Sequence, residues 1–451
     1  MVNTEPGHRV LVANRGEIAV RVIRAAHSLG WDAVAVYSDA DADALWVRMA
    51  DDAVHLGPSP ASKSYLDVDK VVQAARESRC DLVHPGYGFL SERAAFARAV
   101  RDAGLTFVGP SAEVIETMGD KAAARQTASE AGVPIVPGSG VLTSPDAALE
   151  HAKKVGYPVL VKASAGGGGR GIRFVENPVD LEAAVSTARS EARSAFGDDA
   201  VYLEKAIVDA RHVEVQVIAD QHGTVAHAFE RDCSVQRRRQ KLLEEAPAPE
   251  LSADLRAAML EASIGLTRQV GYVGAGTIEY LVAGDEFYFI EMNTRIQVEH
   301  PISEQVTGLD LVVEQLRIAV GEPLSFDPAQ VTTTGVCFEF RINAEDPDRD
   351  FFPSPGTLER FDLPGGPGIR VESGYLAGGT VPPYYDSLLA KIVVHGRDRA
   401  EAIARSVQAL SELQIDGVAH TRDLHLRLLR ESDVAHGPVT TAWLETYLNP
   451  S

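Results

Sequence analysis

Residues 289–301 read FIEMNTRIQVEHP, and the rest of the chain is best understood from this stretch outward. Glu291, Asn293, Arg295, Gln297 and Glu299 recur at every second position, so in extended backbone they share one face. Tyr288, Ile290 and Met292 occupy the other face, which says only that one side of a strand is buried. Upstream, residues 276–281 read GTIEYL, a partner strand. A hairpin loop centred on Asp285 makes Glu279 and Glu291 cross-strand neighbours. Two carboxylates about 5 Å apart repel unless one is protonated or a cation lies between them. Together with the Asn293 amide they form a hard oxygen donor set suited to one or two magnesium ions that also hold nucleotide phosphates. A solvated polar strand face is the bland reading of the same alternation.

A glycine run, Gly166 to Gly169 with Gly171, follows an apolar strand that ends on Lys162. Backbone N–H groups approach an anion closely where no Cβ intervenes. The Gly-Lys-Ser/Thr ending of a P-loop is missing, and a plain hairpin turn is the competing reading. A lysine in a buried strand calls for an anion partner, and a movable glycine lid over a triphosphate accounts for both features. Lys121 reads equally as a surface residue at a helix start. His212 precedes a strand alternating Val213, Val215 and Val217 and reads on its own as a packed histidine. The run Gln236 to Lys241, which includes Arg239, is unusual in so acidic a chain; it is a solvated face or the lining of an anion pocket.

Around these motifs the chain reads as α/β, α+β in part. Strand 9–13, helix 17–29 and strand 33–37 make a βαβ opening, and strands at 53–56, 82–84 and 106–108 continue a largely parallel sheet to about Gly119. The first strand lacks a dinucleotide fingerprint, because Asn14, Arg15, Gly16 and Glu17 follow it. Residues 120–332 carry the glycine run, in a small lobe at about 136–206, and the acidic hairpin. Residues 333–451 begin rich in strands, glycine and proline and finish with a helix over 399–413.

A formal net charge of −21 argues against a nucleic-acid partner, which needs a basic stripe. No run reaches the eighteen or so apolar residues of a membrane helix. Cys80, Cys233 and Cys337 form neither a metal pattern nor a disulfide framework, which fits a reducing cytoplasm.

Nine segments in order resemble the biotin carboxylase subunits and domains of acetyl-CoA, pyruvate and propionyl-CoA carboxylases: 13–18, 84–92, 118–121, 162–171, 211–216, 230–236, 291–301, 341–347 and 381–387. The resemblance covers essentially the whole chain. It implies an ATP-grasp fold with an N-terminal Rossmann-like domain over 1–119, an ATP-grasp domain over 120–332 whose mobile lobe closes over ATP, and a C-terminal β-rich domain over 333–451. By that similarity Lys121, Lys162 and His212 contact ATP, Gly168 and Gly169 cover its phosphates, and Glu204, Lys205 and Ile207 hold the adenine. Gln236, Arg239, Leu281, Glu279 and Glu291 complete the ATP-binding set. Glu279, Glu291 and Asn293 match ligands of two magnesium or manganese ions. Lys241, Arg295, Gln297 and Val298 match a bicarbonate pocket, Glu299 its base, and Arg341 the group that steadies carboxyphosphate and the biotin enolate.

The implied reaction is ATP- and bicarbonate-dependent carboxylation of biotin, the first half-reaction of acetyl-CoA carboxylase or a related acyl-CoA carboxylase, and so part of fatty acid biosynthesis in the former case. Another ATP-grasp carboxylate–amine ligase is the rival enzyme reading. Carriers attach biotin to a lysine between methionines, and no such site occurs among the five methionines. The expected partners are therefore a separate biotin carboxyl carrier protein and a carboxyltransferase subunit, with a homodimer as the expected assembly. Three positions depart from the family pattern: Ala165 in the lid, Arg239 where bacterial subunits often carry histidine, and Pro367 in place of an aromatic at the dimer contact.

Overall fold

The computed structural model describes residues 7–142, 144–163, 172–196 and 199–449. They form two compact units, Met1–Val133 with Arg211–Tyr280 and Glu291–Ser451, and Pro134–Ala210 with Leu281–Ile290.

The larger unit opens with a five-stranded sheet made of Arg9–Val12, Asp32–Ser38, Asp52–Gly57, Leu82–His84 and Thr106–Phe107. In chain order the strands lie third, second, first, fourth, fifth, all parallel. Such a sheet needs apolar cover on both faces, which is why these strands read as continuous hydrophobic runs. Val10 and Val12 face one core with the helix Gly16–Ser28, while Leu11, Val34 and Val36 face another.

A second sheet carries the chemistry. Six strands pair antiparallel in the order Arg211–Ala219, Val225–Arg237, Gln240–Ala246, Val336–Asn343, Leu388–Gly396, Ile369–Ser373. Gly274–Ala283 lies beside the first and turns at Gly284 and Asp285 into Glu286–Asn293. The sheet runs without a break across residue 333, because Leu243 pairs with Phe340 and Glu244 with Glu339. Phe338, Phe340 and Ile342 are fully buried in the core of the last third of the chain. Each contributes about 1.5–3 kcal/mol of apolar burial. The period of two then sends Glu339 and Arg341 to the opposite face. Beyond the expected helix, found at Arg399–Glu412, the chain adds the strand Gln414–Asp416 and helices Arg422–Leu428, Ser432–His436 and Trp443–Leu448. These short elements carry too few periodic residues to be read from sequence.

The smaller unit holds a four-stranded antiparallel sheet, Gly138–Val141, Val201–Lys205, Val159–Ala163, Ile172–Val175, with helices Pro145–Val155 and Leu181–Phe196. Val159, Val161, Val175, Leu181, Val185 and Leu203 form its core.

Candidate active site

The site is built on the antiparallel sheet of the larger unit. Arg211–Ala219 is buried at every position, although it alternates valine with His212, Glu214 and Gln216. A polar face that sheds water this completely must find its partners inside the protein.

Lys241 supplies the central one. Its ammonium donates to Glu214 Oε2 at 2.5 Å, Glu299 Oε1 at 2.6 Å and Glu279 Oε1 at 3.0 Å. Burial would lower this ammonium, but Glu214, Glu279 and Glu299 outweigh it and hold its pKa well above the ordinary lysine value. Burial likewise would raise the Glu299 carboxyl, yet Lys241, Arg341 and Arg231 hold it well below the usual range. Arg341 donates through Nε to Glu244 Oε1 at 2.6 Å and through Nη2 to Glu299 Oε2 at 2.9 Å. Both Glu299 oxygens therefore carry a cation contact. Burial pushes Glu244 up to about 7 against the pull of Arg341.

Around Glu279 the expected donors converge. Asn293 Nδ2 donates to its Oε1 at 2.9 Å and Gln297 Nε2 at 2.7 Å. His212 Nε2 lies 3.0 Å from its Oε2, so His212 is no packing residue; Glu279 raises its pKa although burial opposes the charge. Burial also opposes the Glu279 charge, but Lys241 and His212 keep the carboxyl ionised far below its usual pKa. Glu291, part-buried, is raised by burial and then by the Glu279 charge. Two acids that share a site in this way, beside an amide, fit a divalent cation, which would relieve both the burial and the repulsion. His212, Glu214 and Glu279, and Glu214, Cys233 and Glu299, also bring donor atoms within 4.8 Å, but Lys241 already provides the positive charge there.

Arg295 lies with Nε 3.0 Å from Glu92 Oε2 and donates through Nη2 to Asn293 Oδ1 at 3.0 Å. The Val298 carbonyl accepts a 2.7 Å hydrogen bond from Lys391, whose ammonium also lies 3.0 Å from Glu17 Oε1. Of the basic run, Gln236 is buried opposite Lys241 in register, while Arg237 and Arg238 turn outward to Asp350 and Arg239 is exposed at the hairpin tip. The run is thus part site and part surface. Lys121 is exposed at the start of the helix Lys121–Glu130, which Asp120 caps.

In the smaller unit, Lys162 finds its anion in Glu204. Lys205 donates to the carbonyls of Tyr157 at 2.7 Å and Gly156 at 3.1 Å. Ile207 and Leu281 are half-buried. Gly168, Gly169 and Ala165 lie outside the described residues.

Sequence reasoning missed Glu214, Arg231, Glu244 and Lys391 as parts of this cluster. The one signal that could have found the first was a strand of buried type whose polar positions include an acid, His212-Val-Glu214-Val-Gln216.

Comparison with known proteins agrees with this architecture. The family described as "Biotin carboxylase, N-terminal domain" matches residues 6–115, "Carbamoyl-phosphate synthase L chain, ATP binding domain" residues 120–326, and "Biotin carboxylase C-terminal domain" residues 339–446. Biotin carboxylase 1 of Bacillus subtilis is 50% identical over 442 residues, 97% of this chain and 98% of that protein. A pyruvate carboxylase subunit of Methanothermobacter thermautotrophicus is 46% identical, over 97% of this chain and 90% of that one. The biotin carboxylase domain dimer of Hydrogenobacter thermophilus 2-oxoglutarate carboxylase, solved with MgADP, ADP and bicarbonate, superposes with a TM-score of 0.89 at 45% identity, covering 98% and 99% of the two chains. An ATP-grasp fold whose relatives match from end to end leaves one assignment: the chain belongs to the biotin carboxylase family of ATP-dependent ligases.

Proposed function

We propose that this chain uses ATP and bicarbonate to carboxylate biotin carried on a separate carrier protein, as the first half-reaction of acetyl-CoA carboxylase or a related acyl-CoA carboxylase. The observation that carries the reading is the Glu299 carboxylate held between Lys241 and Arg341. Bicarbonate is a weak nucleophile, so its attack on a phosphate needs cations to bring two anions together and a base to take its proton. Lys241, Arg295, Gln297 and Val298 are the proposed bicarbonate cradle. With both cations engaged Glu299 is a weak base; an arriving anion that competes for Lys241 and Arg341 frees it, which couples base activation to substrate binding. Carboxyphosphate then breaks its C–O bond to give carbon dioxide and phosphate; the phosphate takes the ureido proton, and the deprotonated ureido nitrogen bonds to the carbon dioxide, with Arg341 facing the carboxyphosphate and the enolate oxygen of biotin.

Glu279, Glu291 and Asn293 are the residues that would hold one or two magnesium or manganese ions, which neutralise phosphate charge when bound. Lys121, Lys162, His212, Glu204, Lys205, Ile207, Gln236, Leu281 and Arg239 are the proposed nucleotide contacts. We assign nucleotide and bicarbonate chemistry to 120–332 and completion of the biotin site to 333–451. A homodimer, as in the Hydrogenobacter relative, and a cytoplasmic location complete the reading. Among the described residues no helix is long and apolar enough to cross a membrane.

Relatives named for pyruvate and 2-oxoglutarate carboxylases show that the family serves several acceptors, so the biotinylated protein that co-purifies decides this one. The activity itself is tested with free biotin. ADP release that requires both bicarbonate and biotin is expected; release that instead requires an amine acceptor would favour the carboxylate–amine ligase.

A further inference from the structure

We infer that Arg231 is a positioning residue that sets the polarity of the bicarbonate cradle by fixing which end of the Gln297 amide faces the site; the inference rests on the carboxylation reading above. Arg231 is fully buried in the middle of Val225–Arg237, directly across from Glu214. All five of its N–H groups are used. Nε donates to Glu214 Oε1 at 2.6 Å, Nη1 to Gln216 Oε1 at 2.7 Å and Ser303 Oγ at 3.0 Å, and Nη2 to Gln297 Oε1 at 2.8 Å and Thr277 Oγ1 at 3.2 Å.

Two of these acceptors belong to the cluster around Lys241. Glu214 gives its other oxygen to Lys241, and Gln297 gives its amide N–H to Glu279 at 2.7 Å. A guanidinium has donors only, so the amide group that meets it must be the oxygen. The NH2 end of Gln297 is thereby turned toward Glu279 and toward an incoming anion. Gln216, Thr277 and Ser303 come from two other strands and the helix His300–Thr307, so the guanidinium is held from three elements and cannot follow the amide if it rotates. With the guanidinium loosened, only the Glu279 carboxylate is left to keep the NH2 end toward the site, and the amide presents its carbonyl to bicarbonate more often. Lysine keeps the charge of Arg231 but not the planar fork that reaches all five acceptors.

Arg231→Lys is expected to raise the bicarbonate KM about tenfold with the ATP KM unchanged. In a Gln297→Ala background the same substitution should add little, because the group through which it acts is gone. Equal effects on both KM values, or effects of the two substitutions that multiply, would overturn the inference. If Arg231→Lys does not fold, the Thr277→Val, Ser303→Ala pair loosens the guanidinium without removing it and must still raise the bicarbonate KM; an unchanged value overturns the inference. Should the unaltered chain show no bicarbonate- and biotin-dependent turnover, the functional reading falls, while a crystal structure of Arg231→Lys, or of the pair, still judges this one. A rotated or split Gln297 amide supports it, and an unmoved amide contradicts it.

Discussion

The Glu299 carboxylate accepts a 2.9 Å hydrogen bond from the Arg341 guanidinium, although 42 residues separate the two in the chain. The contact exists because the strand Val336–Asn343 adds itself to the sheet beside Gln240–Ala246, with its phenylalanines in the core and Arg341 on the other face. With Lys241 on the other oxygen, Glu299 is ionised throughout the neutral range.

Glu299→Gln keeps the shape and the hydrogen-bonding oxygen but removes the base. Bicarbonate-dependent turnover should fall by about 10²- to 10⁴-fold with nucleotide affinity retained. Steady-state kinetics with an equilibrium nucleotide titration checks both halves.

Lys241→Met leaves Glu214, Glu279 and Glu299 facing one another without their shared ammonium. Breaking a buried pair in this way costs about 3–5 kcal/mol. In the unaltered chain, Glu279 and Glu299 have depressed pKa values, so they contribute stability that is present above the usual 4.5 and lost only as pH falls through their folded values. The variant loses that contribution. Its stranded carboxyls are raised by burial and mutual repulsion instead, so they cost stability above 4.5 that protonation relieves. Denaturant unfolding should therefore show a large deficit at pH 8 that narrows as pH falls toward 4.5 and below.

How much of this was legible in the sequence follows from periodicity. The five parallel strands showed as apolar runs because both faces of that sheet are covered. The alternation read from Glu291 holds only as far as Asn293, where the strand Glu286–Asn293 ends; Arg295, Gln297 and Glu299 reach the site from the bends and turn that lead into the helix His300–Thr307, not from one face of an extended strand. Glu214 and Gln216 did not show, since a polar–valine alternation normally means one wet face, whereas all nine residues of Arg211–Ala219 are buried. Arg231 was hidden inside a charged stretch for the same reason. The joining of residues 336–343 to 240–246 lies beyond any local pattern, and with it the neighbourhood of Arg341, Glu244 and Lys391.

Glu339 is fully buried and neither carboxyl oxygen has a hydrogen-bond partner among the described residues. Burial holds its pKa well above the usual 4.5, so the folded chain binds a proton that the unfolded chain releases. This group therefore costs stability as pH rises from 4.5 up to its raised value, and below 4.5 it costs nothing. Glu339→Gln should gain on the order of 1 kcal/mol or more at pH 8 and nothing near pH 4. Thermal melts across that range give the comparison.

Arg238 and Arg239 both sit at positive φ, 47° and 67°, in the two-residue turn between Arg237 and Gln240. Non-glycine residues in that region are strained. Arg239→Gly should raise stability by about 1 kcal/mol, read as an increase in Tm, with any change in ATP KM reporting separately on the proposed nucleotide contact.

A crystal structure of the chain soaked with bicarbonate and a non-hydrolysable ATP analogue tests the central claim most directly. The account predicts the anion within hydrogen-bonding distance of Lys241, Arg295 and Gln297, with Glu299 released from at least one of its two cations. Bicarbonate bound elsewhere, with the Lys241–Glu299 and Arg341–Glu299 contacts unchanged, would contradict it.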